Sequence, residues 1–309
     1  MIGFRLSDRP EPRQHPATAR WPGPRLKAAL LAMAWGLVLL PAVAGAQAIF
    51  PRPLSLAPQV TFWTRVYTEF GNGDFVLHDR QRTGLIYEIV HVPEADDPAR
   101  AAQRAAPTVE LLRTKYQGLL TALAASQDPA ELGPDALRVA EAWGCPCAAD
   151  TLLQAAGNVR VQQGLRERVP DGLGRARRLM PQIVAILREH HLPVELAAIP
   201  MVESCFNPQA ESKVAAVGLW QFMPTTGKQY LRISRRRDDR RDPIKATEGA
   251  AHLLRDNYDL LGSWPLAIVA YNHGAGGMQA ARRSVGSAAT EEIIARYTGP
   301  RFGFASKNF

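Results

Sequence analysis

The pattern of apolar and polar positions sharpens about halfway along the 309-residue chain. Leu179, Ile183, Ile186 and Leu187 form a stripe at three-to-four spacing, which predicts an amphipathic helix over Arg175 to His191. The apolar run Leu196 to Val202 predicts a largely buried helix. It starts at Pro193, where a missing amide hydrogen costs little, and bends at Pro200 farther inside. Asp242 before Pro243 is a helix start, and the segment Ala246 to Leu261 then stops at Gly262. Leu266 to Asn272 and Thr290 to Tyr297 supply two more helices.

The upstream half is less sharply patterned. Phe62 to Tyr67 and Leu85 to Val90 are apolar-rich segments separated by the turn signal Gly71-Asn72-Gly73-Asp74. Leu111 to Ala125 and Pro134 to Trp143 show helical spacing of Leu and Ala. The expectation is a mostly helical N-terminal region over 49–160, with a short strand near Ile86, whose aromatics recur at the packing period and read as core rather than as sugar platforms. A second, helical unit follows over 161–309.

Residues 1–46 read as a signal peptide. Arg20, Arg25 and Lys27 precede an apolar stretch from Ala28 to Val43, and small residues follow from Ala44 to Ala48. The stretch is shorter than the roughly 20 apolar residues of a spanning helix. It is also interrupted by Gly36 and Pro41. Export to the periplasm is the expectation. No Cys stands near the cleavage point, so no lipid anchor is expected.

The chain carries a net charge of +8, and loss of residues 1–46, with six Arg or Lys and two Asp or Glu, leaves +4. Mild positive charge suits an anionic polymer, but no basic stripe with interleaved aromatics points to nucleic acid. The mixed run Arg235 to Asp242 reads as a solvated, salt-bridged loop. Cys145 and Cys147 are too close for a zinc knuckle and could bridge each other in an oxidising compartment, leaving Cys205 odd. His190, His191 and Glu195 lack a third clustered ligand, so no metal is expected, nor an organic cofactor. Gly274 to Gly277 lacks the preceding strand and the Lys-Ser or Lys-Thr of a phosphate loop.

Glu203 is the candidate for chemistry. It follows the apolar run, near the end of its helix, where burial would raise its pKa and make it a general acid near neutral pH. Its surroundings carry a resemblance. Glu203-Ser204, Asn207-Pro208, Ala210, Ser212 and Gly218-Leu219-Trp220-Gln221-Phe222-Met223-Pro224, followed by Ala270-Tyr271-Asn272-His273-Gly274, resemble the two signatures of lytic transglycosylases with an SLT-type catalytic domain, glycoside hydrolase family 23. Asp239 to Pro243 and Trp264 to Ala267 look most like the membrane-bound lytic transglycosylase D branch. The likeness is strong over Val161 to Phe309 and loose over Val60 to Val90.

The resemblance implies a mainly α, lysozyme-like catalytic domain of the α+β lysozyme superfamily, over 161–309. It implies a peptidoglycan lytic transglycosylase that cuts between N-acetylmuramic acid and N-acetylglucosamine with one acid, Glu203, leaving 1,6-anhydromuramyl ends. By the same match Ser212 and Gln221 contact the acetamido sugars, and Tyr271 and Asn272 orient the acid and the reacting ring. From the residues themselves, Gly218 permits the close backbone approach that suits a sugar subsite, and Met223 packs either beneath a sugar ring or in the core. Peptidoglycan glycan strands are the implied partner, with cell-wall synthesis or remodelling proteins as further ones and a monomer as the favoured state. A muramidase sharing the same acid and a non-catalytic wall-binding protein are the alternatives. Relatives usually continue past the equivalent of Phe309 into a further helix and often carry repeated wall-binding modules, so an early stop is expected here.

Overall fold

The computed structural model describes residues 49–309 other than Gln127, and the expected signal peptide lies outside the described residues. The elements, in chain order, are α1 (Ala57–Thr68), β1 (Asp74–Asp79), β2 (Ile86–His91), α2 (Pro98–Ala125), α3 (Pro134–Trp143), α4 (Ala149–Ala156), β3 (Val159–Gln163), α5 (Arg168–Glu189), α6 (Ile199–Ser204), α7 (Pro224–Tyr230), α8 (Pro243–Leu261), α9 (Trp264–His273), α10 (Ala275–Val285), α11 (Thr290–Arg296) and α12 (Phe304–Lys307). The fold is mainly α. Among the described residues no helix is long and apolar enough to cross a membrane.

The N-terminal half holds more β structure than the single short strand expected. β1, β2 and β3 form an antiparallel sheet in the order β2-β1-β3. β1 is covered on both faces. Phe75 packs with Ala101, Ala105 and Val109 of α2, while Val76 packs with Phe62 and Val66 of α1. A central strand buried on both sides has no polar face to give it a period-two signature, and at six residues it is easily passed over. The boundary expected between residues 160 and 161 falls inside β3, where Leu77 pairs with Val161 and His78 with Arg160.

Helix starts and stops follow local chemistry. Asp97 accepts hydrogen bonds from the backbone amides of Ala99 and Arg100, so α2 begins at Pro98, well before Leu111. Asp242 caps α8 in the same way, and Gly262 closes it in the left-handed conformation.

The expected single helix over Pro193 to Val202, bent at Pro200, is instead two pieces. A 3₁₀ turn covers Val194–Ala198, and α6 starts afresh at Ile199 with Pro200 in its first turn. There the absent amide hydrogen is one of the helix's unpaired donors in any case. The main core joins Ile183, Ile186 and Leu187 of α5, Ile199, the loop residues Leu219, Trp220 and Phe222, and Ala246, Ala250 and Leu254 of α8. It therefore lies directly under the segment that carries Glu203.

Candidate active site

Glu203 occupies the last turn of α6. The helix stops one residue later, because Cys205 and Phe206 both adopt positive φ, 49° and 56°, and their amides return to the carbonyls of Met201 and Pro200. Ser204 locks this end to the following loop. Its hydroxyl donates to the Leu219 carbonyl at 2.8 Å and accepts from the Asn207 amide at 3.2 Å. Arg175 of α5 reaches across and donates twice to the Cys205 carbonyl, at 3.2 and 3.0 Å. The acid is thus held on a short helix whose end is fixed from three directions.

Burial raises the Glu203 carboxyl to about 7, with no opposing contribution from a cation or a hydrogen bond among the described residues. A carboxyl in this state carries a proton close to neutral pH, as a general acid must. Two phenols lie within its electrostatic reach. Tyr271 of α9 is raised well above its ordinary value, first by burial and then by Glu203. Tyr67 of α1 is raised to about 12 by burial, then by Cys205 and Glu203. Neither phenol ionises near neutrality, so neither competes for the proton of Glu203.

The loop from Phe206 to Met223 is shaped by its own polar groups. Ser212 exchanges backbone hydrogen bonds with Ala216 and Ala215, and its Oγ accepts from the Ala216 amide at 2.9 Å. The Gln221 amide nitrogen donates to the carbonyls of Gly218 and Ala210, at 2.9 and 3.3 Å. Gly218 adopts φ +84°, with its α-carbon against the Arg240 carbonyl. The close approach that this glycine permits is therefore one between protein backbones. Met223 is 39% exposed and precedes α7.

Tyr271 donates to the Trp220 carbonyl at 2.6 Å, and the Trp220 indole donates to Thr247 of α8 at 2.9 Å. Phe309 stacks on Tyr271, with ring planes 6° apart. Asn272 is exposed, and its side-chain oxygen accepts from the buried Ser306 hydroxyl at 3.1 Å. The helix cap after Asn272 is Gly274.

Three contributors were not legible in sequence. Tyr67 belongs to the aromatic segment read as core, yet it lies within electrostatic reach of Glu203. Ser306 had no motif to mark it. The third is Arg240, within the run read as a solvated loop, and here the expectation is corrected: Asp239 and Arg240 are 6% and 7% exposed. Arg240 binds the Asp238 carboxylate and donates to the carbonyls of Ala215 and Phe222, both at 3.0 Å, tying the active-site loop from beneath. A guanidinium can be buried this way because its planar fork of donors finds both a carboxylate and loop carbonyls that have room to accept. The alternating signs in sequence could not say which side chain turned inward.

Other carboxylates are engaged elsewhere. Glu211 is exposed and pairs with Arg241 at 2.6 Å, while Asp239 and Asp242 meet Arg237 and Lys245. Cys205 is half-buried, and burial pushes its thiol up, so it offers no activated nucleophile. Cys145 and Cys147 are joined by a disulfide.

Residues 180–294 match the Transglycosylase SLT domain family. The chain is 39% identical over 104 residues to the membrane-bound lytic murein transglycosylase D of Escherichia coli K12, a match covering 33% of this chain and 23% of that protein. It is 39% identical over 106 residues to a putative tributyltin chloride resistance protein of an Alteromonas species, covering 33% of this chain and 50% of the relative. A transglycosylase of Enterobacteria phage PRD1 is 38% identical over 82 residues, or 29% of its length. The chain thus spans about a quarter of the Escherichia coli relative and half of the Alteromonas one. Residues 180–294, the segment that holds Glu203, its loop and the Tyr271-Asn272 pair, thus match the Transglycosylase SLT domain, with a lysozyme-like, mainly helical fold.

Proposed function

We propose that the chain is a peptidoglycan lytic transglycosylase in which Glu203 is the single acid and base. The observation that carries this reading is a carboxyl raised to about 7 by burial, while Glu211, Asp239 and Asp242, the carboxylates of the following loop and charged run, are bound to cations. Ordinary glycosidases need a second carboxylate placed to act as nucleophile or to activate water. Here Glu203 protonates the oxygen linking N-acetylmuramic acid to N-acetylglucosamine. The substrate's own acetamido group supports the positive sugar centre. Glu203, now ionised, accepts the proton of the muramyl 6-hydroxyl as that oxygen closes on C1, so the product is a 1,6-anhydro ring and the acid is regenerated.

The hydrogen bonds within the loop assign polarity to its side chains. The Ser212 hydroxyl oxygen already accepts from Ala216, which leaves its hydrogen to donate to an acetamido carbonyl. Gln221 spends both amide hydrogens on the loop, which leaves its oxygen to accept an acetamido N–H. Asn272 accepts from Ser306 and keeps its amide hydrogens for a sugar oxygen. Gly218 shapes the loop and Met223 edges it. Tyr271 fixes the loop through the Trp220 carbonyl and, with Tyr67, keeps water from the acid. Export to the periplasm, followed by action on glycan strands there, fits the N-terminal segment.

Mass spectrometry of products released from peptidoglycan tests the reading. Muropeptides lighter by one water than hydrolysed ones, absent with Glu203→Gln, are the expected result. Hydrated reducing ends would make the protein a muramidase, and no release by either protein would favour a wall-binding role.

A further inference from the structure

Tertiary packing assembles a ligand set that neighbouring residues in sequence do not contain. His190 caps the end of α5, with its ring half-buried. Glu248 and His252 stand one turn apart on α8, the spacing that puts two side chains on one helix face. His190 Nε2 lies 2.7 Å from Glu248 Oε2, and the His190 and His252 rings meet edge to face with centroids 4.7 Å apart. One ligand atom from each of the three residues falls within 4.8 Å of the others. His191 and Glu195, considered from sequence, are not part of the set.

We propose that His190, Glu248 and His252 form a binding site for a divalent transition metal of the zinc class, separate from the Glu203 site. The donor set selects the metal: two imidazoles and one carboxylate suit zinc and late first-row ions, whereas calcium and magnesium prefer oxygen. Ligand atoms around a tetrahedral zinc stand about 3.4 Å apart, given bond lengths of about 2.0–2.2 Å. The cluster is within a modest side-chain rotation of that spacing, and the metal takes the place of the direct contact between His190 and Glu248.

The scaffold is already rigid. Ile186 and Leu187 of α5 share a core with Ala250, Ala251 and Leu254 of α8. Arg255 donates to the His190 and His191 carbonyls at 3.1 and 2.7 Å, which fixes the end of α5. Two nearby cations are occupied: Arg255 by those carbonyls, Lys245 by Asp242 at 2.9 Å. Three protein ligands leave a fourth position for water. The metal acts as a clip between α5 and α8.

Isothermal titration of zinc chloride into the metal-stripped full chain tests the site, with thermal denaturation as a second readout. One zinc ion per chain and a raised Tm are expected. His252→Ala, at an exposed position that the fold does not need, should weaken binding by roughly tenfold or more. His91→Ala, an exposed histidine elsewhere, should leave binding unchanged. Absence of stoichiometric binding, or equal binding by the His252→Ala variant, overturns the proposal.

Discussion

The α-carbon of Gly218 lies against the carbonyl of Arg240, so closely that a β-carbon would collide with it. Arg240, in turn, donates to the carbonyls of Ala215 and Phe222 on either side of that glycine. The loop facing Glu203 and the charged run after Ile233 are therefore one unit. Gly218→Ala meets both the clash and a positive φ, and should cost about 2–4 kcal/mol of stability and most of the activity. Urea denaturation together with turnover on peptidoglycan checks both.

Arg240→Ala removes the tie from the other side. It leaves the Asp238 carboxylate without its cation and the Ala215 carbonyl without a donor, while the Phe222 carbonyl keeps only the Val217 amide, and the expected cost is about 2–4 kcal/mol. Arg240→Lys keeps the charge but not the fork, and should recover only part of the loss. A protein folded normally at 25 °C with unchanged activity would contradict the role given to Arg240.

Glu203→Gln should lower turnover by roughly 100- to 10,000-fold, the usual worth of a positioned acid or base. In the wild type, turnover should fall as pH rises through about 7, where the acid loses its proton. The stability effect has the opposite beneficiary. A carboxyl whose folded pKa lies above its unfolded value makes the native state bind more protons, so wild-type stability declines from about pH 4.5 to about pH 7. Glu203→Gln escapes that decline. Its stability relative to the wild type should rise by about 3 kcal/mol between pH 4 and pH 8, read from denaturant midpoints.

Tyr271→Phe deletes the 2.6 Å hydrogen bond to the Trp220 carbonyl and leaves that acceptor in an apolar setting. A loss of about 1–3 kcal/mol is expected, with turnover falling because the loop below Glu203 is released. Tyr67→Phe makes no such break, since no hydrogen bond of its hydroxyl anchors the loop, and should be milder in stability. If Tyr67→Phe proves the more destabilising of the two, the wall around the acid is built differently.

Ser306→Ala frees the Asn272 side chain without touching substrate groups. Turnover should drop several-fold while stability changes by about 1 kcal/mol or less. Ser306→Thr, which keeps the hydroxyl, should restore part of the turnover. A deletion that changes stability alone would make Ser306 structural.

What the sequence determined by itself was local. Asp242, Pro243 and Gly262 bounded α8 because caps act within one turn, and Leu179 to Leu187 marked the buried face of α5 because helical periodicity is a property of neighbours. The order of Glu203, its loop and the Tyr271-Asn272 pair was legible for a related reason, since the loop's turns and the helix end are built from residues close in sequence. Tertiary structure decided the rest. β1 and β3 are short strands whose pairing joins residues far apart in the chain, and β1 shows no alternation because both its faces are covered. Arg240 turned inward because the Ala215 and Phe222 carbonyls and the Asp238 carboxylate offered it acceptors, a choice no charge pattern records. Tyr67 reached Glu203, Ser306 reached Asn272, and His190 met Glu248 and His252, each across packed elements. Such meetings are set by how helices and sheet stack, and burial then decides which of the assembled groups changes its chemistry.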